Sequence, residues 1–147
     1  MRKLCYNLHK FIKGEILELK FLIVDDDSDV LEVLVDAVDV WPSEKYTTAV
    51  KTASNGQSGL ELLQTEKFHV AIVDIKMPVL NGIELIQKLK TSDGPNKEIP
   101  IIVQSGFTEA YLETLNSEQF KDVLVMTKPL DIKAIFNSID WAVSRFH

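Results

Sequence analysis

The chain has 147 residues, of which 46% are hydrophobic and 26% charged, and its formal net charge at pH 7 is -6. One domain of this length buries about 68–70% of its unfolded surface without disulfides or metals as supports. The acidic balance lacks the basic surface with which proteins bind nucleic acids, so we expect no direct nucleic-acid binding.

The cellular compartment is suggested by the amino terminus and the cysteine content. Residues 1–3 resemble the start of a secretory signal, but Lys10 and Lys13 interrupt the apolar stretch that a signal requires. The single cysteine, Cys5, cannot form an internal disulfide and fits a reducing compartment. No apolar run approaches the roughly 18–20 residues of a membrane span. We therefore predict a cytoplasmic protein without a membrane span.

Residues 1–19 form a segment distinct from the rest of the chain. Four of its apolar residues fall at helical spacing until Gly14 ends the pattern: Leu4, Leu8, Phe11 and Ile12. We predict a short amphipathic helix, an N-terminal leader that packs on the domain or on a second copy, which leaves a homodimer open. The domain itself is predicted to span residues 20–147.

From Lys20 onward, short apolar runs alternate with amphipathic helical patterns, which is typical of a parallel sheet covered by helices on both faces. The predicted strands cover residues 21–24, 49–53, 70–73, 99–104 and 123–126, and residues 43–48 are predicted to be a loop. Ser28 or Asp29 is expected to cap the first helix, and Asn55 and Asn81 stand at the starts of the next two. A weaker helix is predicted near Tyr111. The last helix is expected to bury Ile132, Ile135, Phe136, Ile139 and Val143.

Polar side chains stand at the carboxyl ends of four predicted strands: Asp25 and Asp26, Asp74, Ser105, and Lys128. In a right-handed parallel sheet these ends share one edge, so the side chains should converge there. Two charges about 4 Å apart repel by about 4 kcal/mol at an effective dielectric near 20, so clustered carboxylates need compensation. Mg²⁺ suits such oxygen ligands. A carboxylate, a metal, a lysine and a hydroxyl together indicate a phosphoryl-transfer site.

Four motifs between Lys20 and Arg145 carry a family resemblance: FLIVDDDSDV, HVAIVDIKMPVLNG, PIIVQSG and TKPL. With them the chain resembles the receiver (CheY-like) domain of bacterial two-component response regulators. The resemblance implies an α/β, flavodoxin-like, doubly wound sheet of five parallel strands in the order 2-1-3-4-5. It also implies a signalling phosphoacceptor, not an enzyme acting on other substrates, that is served by a sensor histidine kinase or a histidine phosphotransfer protein and that controls an effector.

The resemblance assigns a role to each polar residue at the strand ends. Asp74 would accept the phosphoryl group, and Mg²⁺ would be held by Asp25, Asp26, Asp74 and the backbone carbonyl of Lys76, with Asp26 as a direct ligand. Lys128, which precedes a proline in a cis peptide, would pair with the phosphorylated aspartate. Ser105 would hydrogen-bond a phosphoryl oxygen. Asp27 matches no metal position and would help to start the first helix.

The sequence departs from the family pattern at several positions. Val125 stands where the family usually has Tyr or Phe, and Gly106 where alanine is common. Phe107 and Lys76 occupy positions that tune dephosphorylation in relatives. We therefore expect switching to involve a rearrangement of residues 105–111 and not an inward turn of an aromatic ring.

Two other functions remain possible from the sequence. A metal-dependent phosphohydrolase of the haloacid dehalogenase type also uses an Asp-x-Asp after its first strand, although Asp74 precedes Lys128 here, against the order of that family. The second is a pseudo-receiver that binds partners without being phosphorylated. The output, the cognate kinase and whether the chain acts alone or within a longer protein are not encoded in any motif.

Overall fold

The computed structural model describes residues 16–106, 112–115 and 117–146. Five parallel strands form one sheet in the order β2-β1-β3-β4-β5, which confirms the predicted topology. The strands are β1 Leu17–Val24, β2 Tyr46–Ala53, β3 Val70–Asp74, β4 Ile101–Ser105 and β5 Val123–Thr127. The α-helices are α1 Ser28–Val40, α2 Gly56–Thr65, α3 Gly82–Lys90, α4 Leu112–Leu115 and α5 Ile132–Ser144, and a 3-10 turn covers Glu118–Phe120.

The sheet is covered by helices on both faces, and alternate residues of each strand enter different layers of the core. One layer lies under α2 and α3 and includes Leu22, Val24, Ala71, Val73, Ile101 and Val103. The other lies under α1 and α5 and includes Phe21, Ile23, Val70, Ile72, Ile102 and Met126. Burial on both faces explains why these strands are continuous apolar runs and not alternating ones.

The first two strands begin earlier than the sequence pattern indicated. β1 starts at Leu17, so residues 17–19, predicted to be part of the leader, belong to the sheet. Leu17 and Leu19 are buried, and Leu17 pairs with Tyr46, which places the start of β2 inside the predicted loop 43–48. Both strands are longer than predicted because their pairing gives hydrogen-bond partners to the backbone N–H and C=O groups of each. The helix predicted for the leader falls on residues 1–15, outside the described ranges.

Three local predictions about element ends were also wrong. Asp27 caps α1, accepting hydrogen bonds from the N–H groups of Asp29 and Val30, so it helps to start the helix as expected, but neither Ser28 nor Asp29 is the cap. β4 starts at Ile101 and not at residue 99, because Pro100 has no N–H to give to a ladder. Ile132, expected in the core, is 51% exposed.

Other predictions hold. Asn55 and Asn81 cap α2 and α3, and β3 ends on Asp74 as expected. The helix predicted near Tyr111 is present as α4, although Tyr111 itself lies outside the described residues. Within the described ranges, no helix has the length and apolar content needed to cross a membrane.

Candidate functional site

Strand alternation brings the key side chains to one side of the sheet. Asp25 continues the alternation of Phe21 and Ile23, and Asp74 continues that of Ile72, so both carboxylates lie on the face covered by α1 and α5. Lys128 follows Met126 with the same parity. Because β3 pairs with both β1 and β4, Asp74 lies in the middle of the converging strand ends.

Three carboxylates meet at this edge, as the sequence predicted. Asp25, Asp26 and Asp74 each offer an oxygen, and these oxygens lie within 4.8 Å of one another. Asp25 and Asp74 are buried, with 0% and 4% of their surface exposed, whereas Asp26 is exposed. The Nζ atom of Lys128 lies 3.4 Å from Asp74 Oδ1, close enough for an ion pair.

Hydrogen bonds fix the Asp25 carboxylate from two directions. The backbone N–H of Asp27 donates to Asp25 Oδ1 at 2.8 Å, and the side-chain Nε2 of Gln104 donates to Asp25 Oδ2 at 2.7 Å. Asp27 therefore has two local functions, since its own side chain also caps α1. The start of α1 and the end of β4 together hold Asp25 in one orientation.

Burial makes the two inner carboxylates weaker acids than usual. Loss of water raises the pKa of Asp25 to about 6; the Asp27 N–H opposes this shift, and the nearby charge of Asp74 adds to it. Burial also raises the pKa of Asp74, although the ammonium group of Lys128 and the backbone N–H of Lys76 act in the opposite direction. The charged forms are therefore poorly solvated in the absence of a cation.

The loop after β3 packs tightly against the strand end. The N–H of Gly82 donates to the carbonyl of Ile75 at 2.9 Å, and a Cβ atom at position 82 would lie 2.4 Å from the carbonyl oxygen of Asp74. Only glycine fits this approach. Val79 in the same loop has a φ of 70° and is 94% exposed, an unusual conformation for a β-branched residue.

Ser105, Lys76 and Lys128 are also at this edge. Ser105 is buried as the last residue of β4, and its carbonyl accepts a hydrogen bond from the N–H of Lys128 at 2.9 Å. The Lys128–Pro129 peptide is cis, as predicted. Lys76 is exposed, and its backbone N–H donates a hydrogen bond to the Asp74 carboxylate.

Two of the positions that depart from the family pattern, Val125 and Gly106, lie within the described residues. Val125 is partly buried and packs on the core layer that also contains Leu115 and Phe120. Gly106 is exposed, and a Cβ atom there would meet nothing within 4 Å. Phe107 lies outside the described residues, as does most of the segment for which we predicted a rearrangement.

Sequence reasoning missed Gln104. This residue is fully buried, and its Oε1 atom has no hydrogen-bond partner among the residues that the structure describes. The available signal was a polar residue inside the otherwise apolar run that forms β4. The pattern alone gave no indication that its amide reaches Asp25.

The donor set fits a small divalent cation. Carboxylate oxygens are the ligands that Mg²⁺ prefers, and the group combines two buried carboxylates with one that faces water. A site of this kind can accept a cation that keeps several of its own waters. It is also the edge of the sheet at which open α/β folds bind ligands.

Comparison with known proteins agrees with this geometry. The chain is 31% identical over 121 residues to the response regulator receiver protein CpdR of Brucella abortus, an alignment covering 82% of this chain and 93% of CpdR. It is 29% identical over 118 residues to the probable C4-dicarboxylate response regulator DctR of Bacillus subtilis, covering 73% of this chain but 51% of DctR.

Solved structures agree as well. The receiver domain of a Francisella response regulator superposes with a TM-score of 0.69 at 27% identity, over 88% of this chain and 99% of that one. The family model described as "Response regulator receiver domain" matches residues 21–140. The chain therefore belongs to the response regulator receiver domain family, not to the haloacid dehalogenase-type hydrolases.

Proposed function

We propose that this chain is a phosphorylation-controlled switch in which Asp74 takes a phosphoryl group from a phosphohistidine of a sensor kinase or phosphotransfer protein. The observation that carries the proposal is the meeting of Asp25, Asp26 and Asp74 within 4.8 Å, with Lys128 3.4 Å from Asp74. Receiver domains bind Mg²⁺ at such an acidic cluster, and here the three carboxylates and the Lys76 carbonyl are the proposed ligands.

In the proposed reaction an oxygen of Asp74 attacks the phosphorus atom. A P–O bond forms while the P–N bond of the phosphohistidine breaks, and its electron pair remains on the imidazole nitrogen, which then takes up a proton. A bound divalent cation supplies neutralising charge for the phosphoryl oxygens. Lys128 balances charge at the acceptor oxygen, and the Ser105 hydroxyl is the proposed hydrogen-bond donor to the phosphoryl group.

The surface beside Lys128 supports a protein donor. A cleft of about 290 Å³ lies between α1 and the loop that joins β5 to α5, and it is lined by Asp29, Val30, Val33, Lys128, Pro129 and Leu130. The lining of the cleft is largely apolar, and Val33 within it is 52% exposed. We assign this cleft to the protein that carries the donor phosphohistidine, because its occupant would lie directly beside Lys128.

Phosphorylation of the purified chain tests the function. Acetyl phosphate with Mg²⁺ should add about 80 Da, the mass of one phosphoryl group, and EDTA should prevent the addition. Asp74→Asn should abolish the adduct, whereas the control Asp36→Asn, on the exposed side of α1, should retain it. Absence of an adduct on the intact chain would favour the pseudo-receiver alternative, and an adduct on Asp74→Asn would contradict the assigned acceptor.

The remaining parts of the proposal concern the cellular role. The chain would act in the cytoplasm as a signalling module without turnover of an external substrate, and it would pass its state to an effector protein or domain. Its net charge of -6 argues against direct nucleic-acid binding as the output of this domain. The alignment covers only about half of DctR, so a relative of this chain can be about twice the aligned length. The effector can therefore be a further domain of the same polypeptide or a separate protein.

A further inference from the structure

The Gln104 amide is a buried polar group that the proposed phosphoryl chemistry does not use. Its Nε2 atom donates to Asp25 Oδ2 at 2.7 Å, while its Oε1 atom is buried without a partner among the described residues. Buried amide oxygens are nearly always hydrogen-bonded to protein or water, so this exception requires an explanation.

The order of the strands requires the Gln104 side chain to reach across β3 to contact the acidic cluster. Gln104 lies on β4 and pairs in register with Asp74 on β3, whereas Asp25 follows β1 on the far side of β3. Neighbouring strands are about 4.8 Å apart, so a bond from β4 to the end of β1 spans about 10 Å. The side chain of Gln104 therefore passes over the strand that carries Asp74, on the face that the carboxylates share.

We propose that Gln104 is a positioning residue of the cation site, which rests on the function proposed above. Its Nε2 holds Asp25 in the orientation of a ligand, and its Oε1 accepts a hydrogen bond from a water molecule bound to the cation. Mg²⁺ usually keeps several waters, each a strong donor because the ion polarises it. Residues that hydrogen-bond a metal ligand without touching the metal orient that ligand and strongly affect metal affinity.

A role in packing alone is a poorer explanation. Met or Leu would fill nearly the same volume in β4 without leaving a buried oxygen unpaired, and the neighbours Ile102 and Val103 are apolar. A buried glutamine stabilises the fold only where its Nε2 and its Oε1 atoms both have hydrogen-bond partners. Asp25, a member of the acidic cluster, is the partner of Nε2, and the inferred partner of Oε1 is a water molecule on the cation that this cluster would hold.

Binding of Mg²⁺ alone tests this role. The melting temperature is followed while MgCl2 is titrated against NaCl at constant ionic strength, because a ligand that binds only the folded state stabilises it according to its Kd. In Gln104→Met both polar ends are lost. In Gln104→Asn the amide is kept, but it is one methylene too short to reach Asp25. Both variants should bind Mg²⁺ about 10–100-fold more weakly than the unmodified chain.

The control is Gln64→Met, on the exposed face of α2, which should leave the Mg²⁺ affinity unchanged. A purely structural role would shift the melting temperature by the same amount at every Mg²⁺ concentration, with an unchanged Kd, and that result would overturn the inference. If Gln104→Met does not fold, Gln104→Asn decides alone. Failure of the unmodified chain to bind Mg²⁺ would overturn the cation site itself and this inference with it.

Discussion

Replacing Asp25 by asparagine should stabilise the metal-free protein. The Asp25 carboxylate is fully buried, and its pKa is raised from 3.8 to about 6. One pKa unit corresponds to 1.36 kcal/mol, so the ionised group destabilises the folded state by about 3 kcal/mol well above pH 6. An uncharged side chain of the same shape removes this penalty.

The hydrogen bonds around position 25 can survive the substitution. The asparagine oxygen can accept from the Asp27 N–H, as Asp25 Oδ1 does at 2.8 Å. Its amide nitrogen would then face Gln104, whose amide can turn through half a rotation and present the Oε1 atom that now lacks a partner among the described residues. No donor is left facing a donor, so the gain should approach the full electrostatic penalty.

Unfolding by urea and by heat in EDTA measures this effect. A raised carboxylate pKa stabilises the protein below pH 3.8 relative to high pH, and the penalty grows between pH 3.8 and about 6 and is constant above. Asp25→Asn should therefore be more stable by about 3 kcal/mol at pH 8, or about 6–12 °C in melting temperature. The advantage should shrink toward pH 4, and Mg²⁺ should stabilise the variant less than the unmodified chain.

The exposed control Asp36→Asn should show no comparable gain. Two results would refute the reasoning about Asp25. One is a variant no more stable than the unmodified chain at pH 8 in EDTA, and the other is a gain that stays constant from pH 8 to pH 4.

Two further predictions concern stability. Burial, together with neighbouring lysines, lowers the pKa of His69 to about 4, so the fold should lose stability as the pH falls from 6.5 toward 4. His69→Asn keeps an acceptor for the Lys20 N–H. The melting temperature of this variant, relative to that of the unmodified chain, should be higher at pH 4.5 than at pH 8. An equal difference in melting temperature at both pH values would contradict this. Gly82→Ala should cost about 1–3 kcal/mol in urea unfolding because its Cβ meets a backbone oxygen at 2.4 Å, whereas Gly106→Ala, in open space, should cost nothing; equal losses would refute the steric argument.

The site edge could be predicted because its signals are local. Each strand is a short apolar run, and Asp25, Asp74 and Lys128 each stand where such a run stops. Parallel topology then forces these residues to one edge, whatever the exact strand lengths. Convergence of the carboxylates therefore follows from sequence, and the structure adds the distances.

Other features depend on partners far away in the sequence. Tyr46 and its neighbours look like loop because β2 is an edge strand with a half-exposed pattern, and only pairing with Leu17 fixes its start. The bond from Gln104 to Asp25 joins residues 79 positions apart across an intervening strand. Ile132 has helical spacing with the core residues of α5, yet it is the first residue of that helix and is 51% exposed.

The formal charges at the site connect its stability with its proposed switching. Three carboxylates and Lys128 sum to about -2, and two of the carboxylates are buried. A divalent cation brings this sum to zero, so binding should stabilise the fold as well as prepare the site. Phosphorylation of Asp74 replaces one negative charge by about 1.5 to 2. The phosphorylated site is thus more negative by up to one charge, and it should hold both the cation and Lys128 more tightly than before. By reciprocal linkage, the cation must favour the phosphorylated state to the same degree.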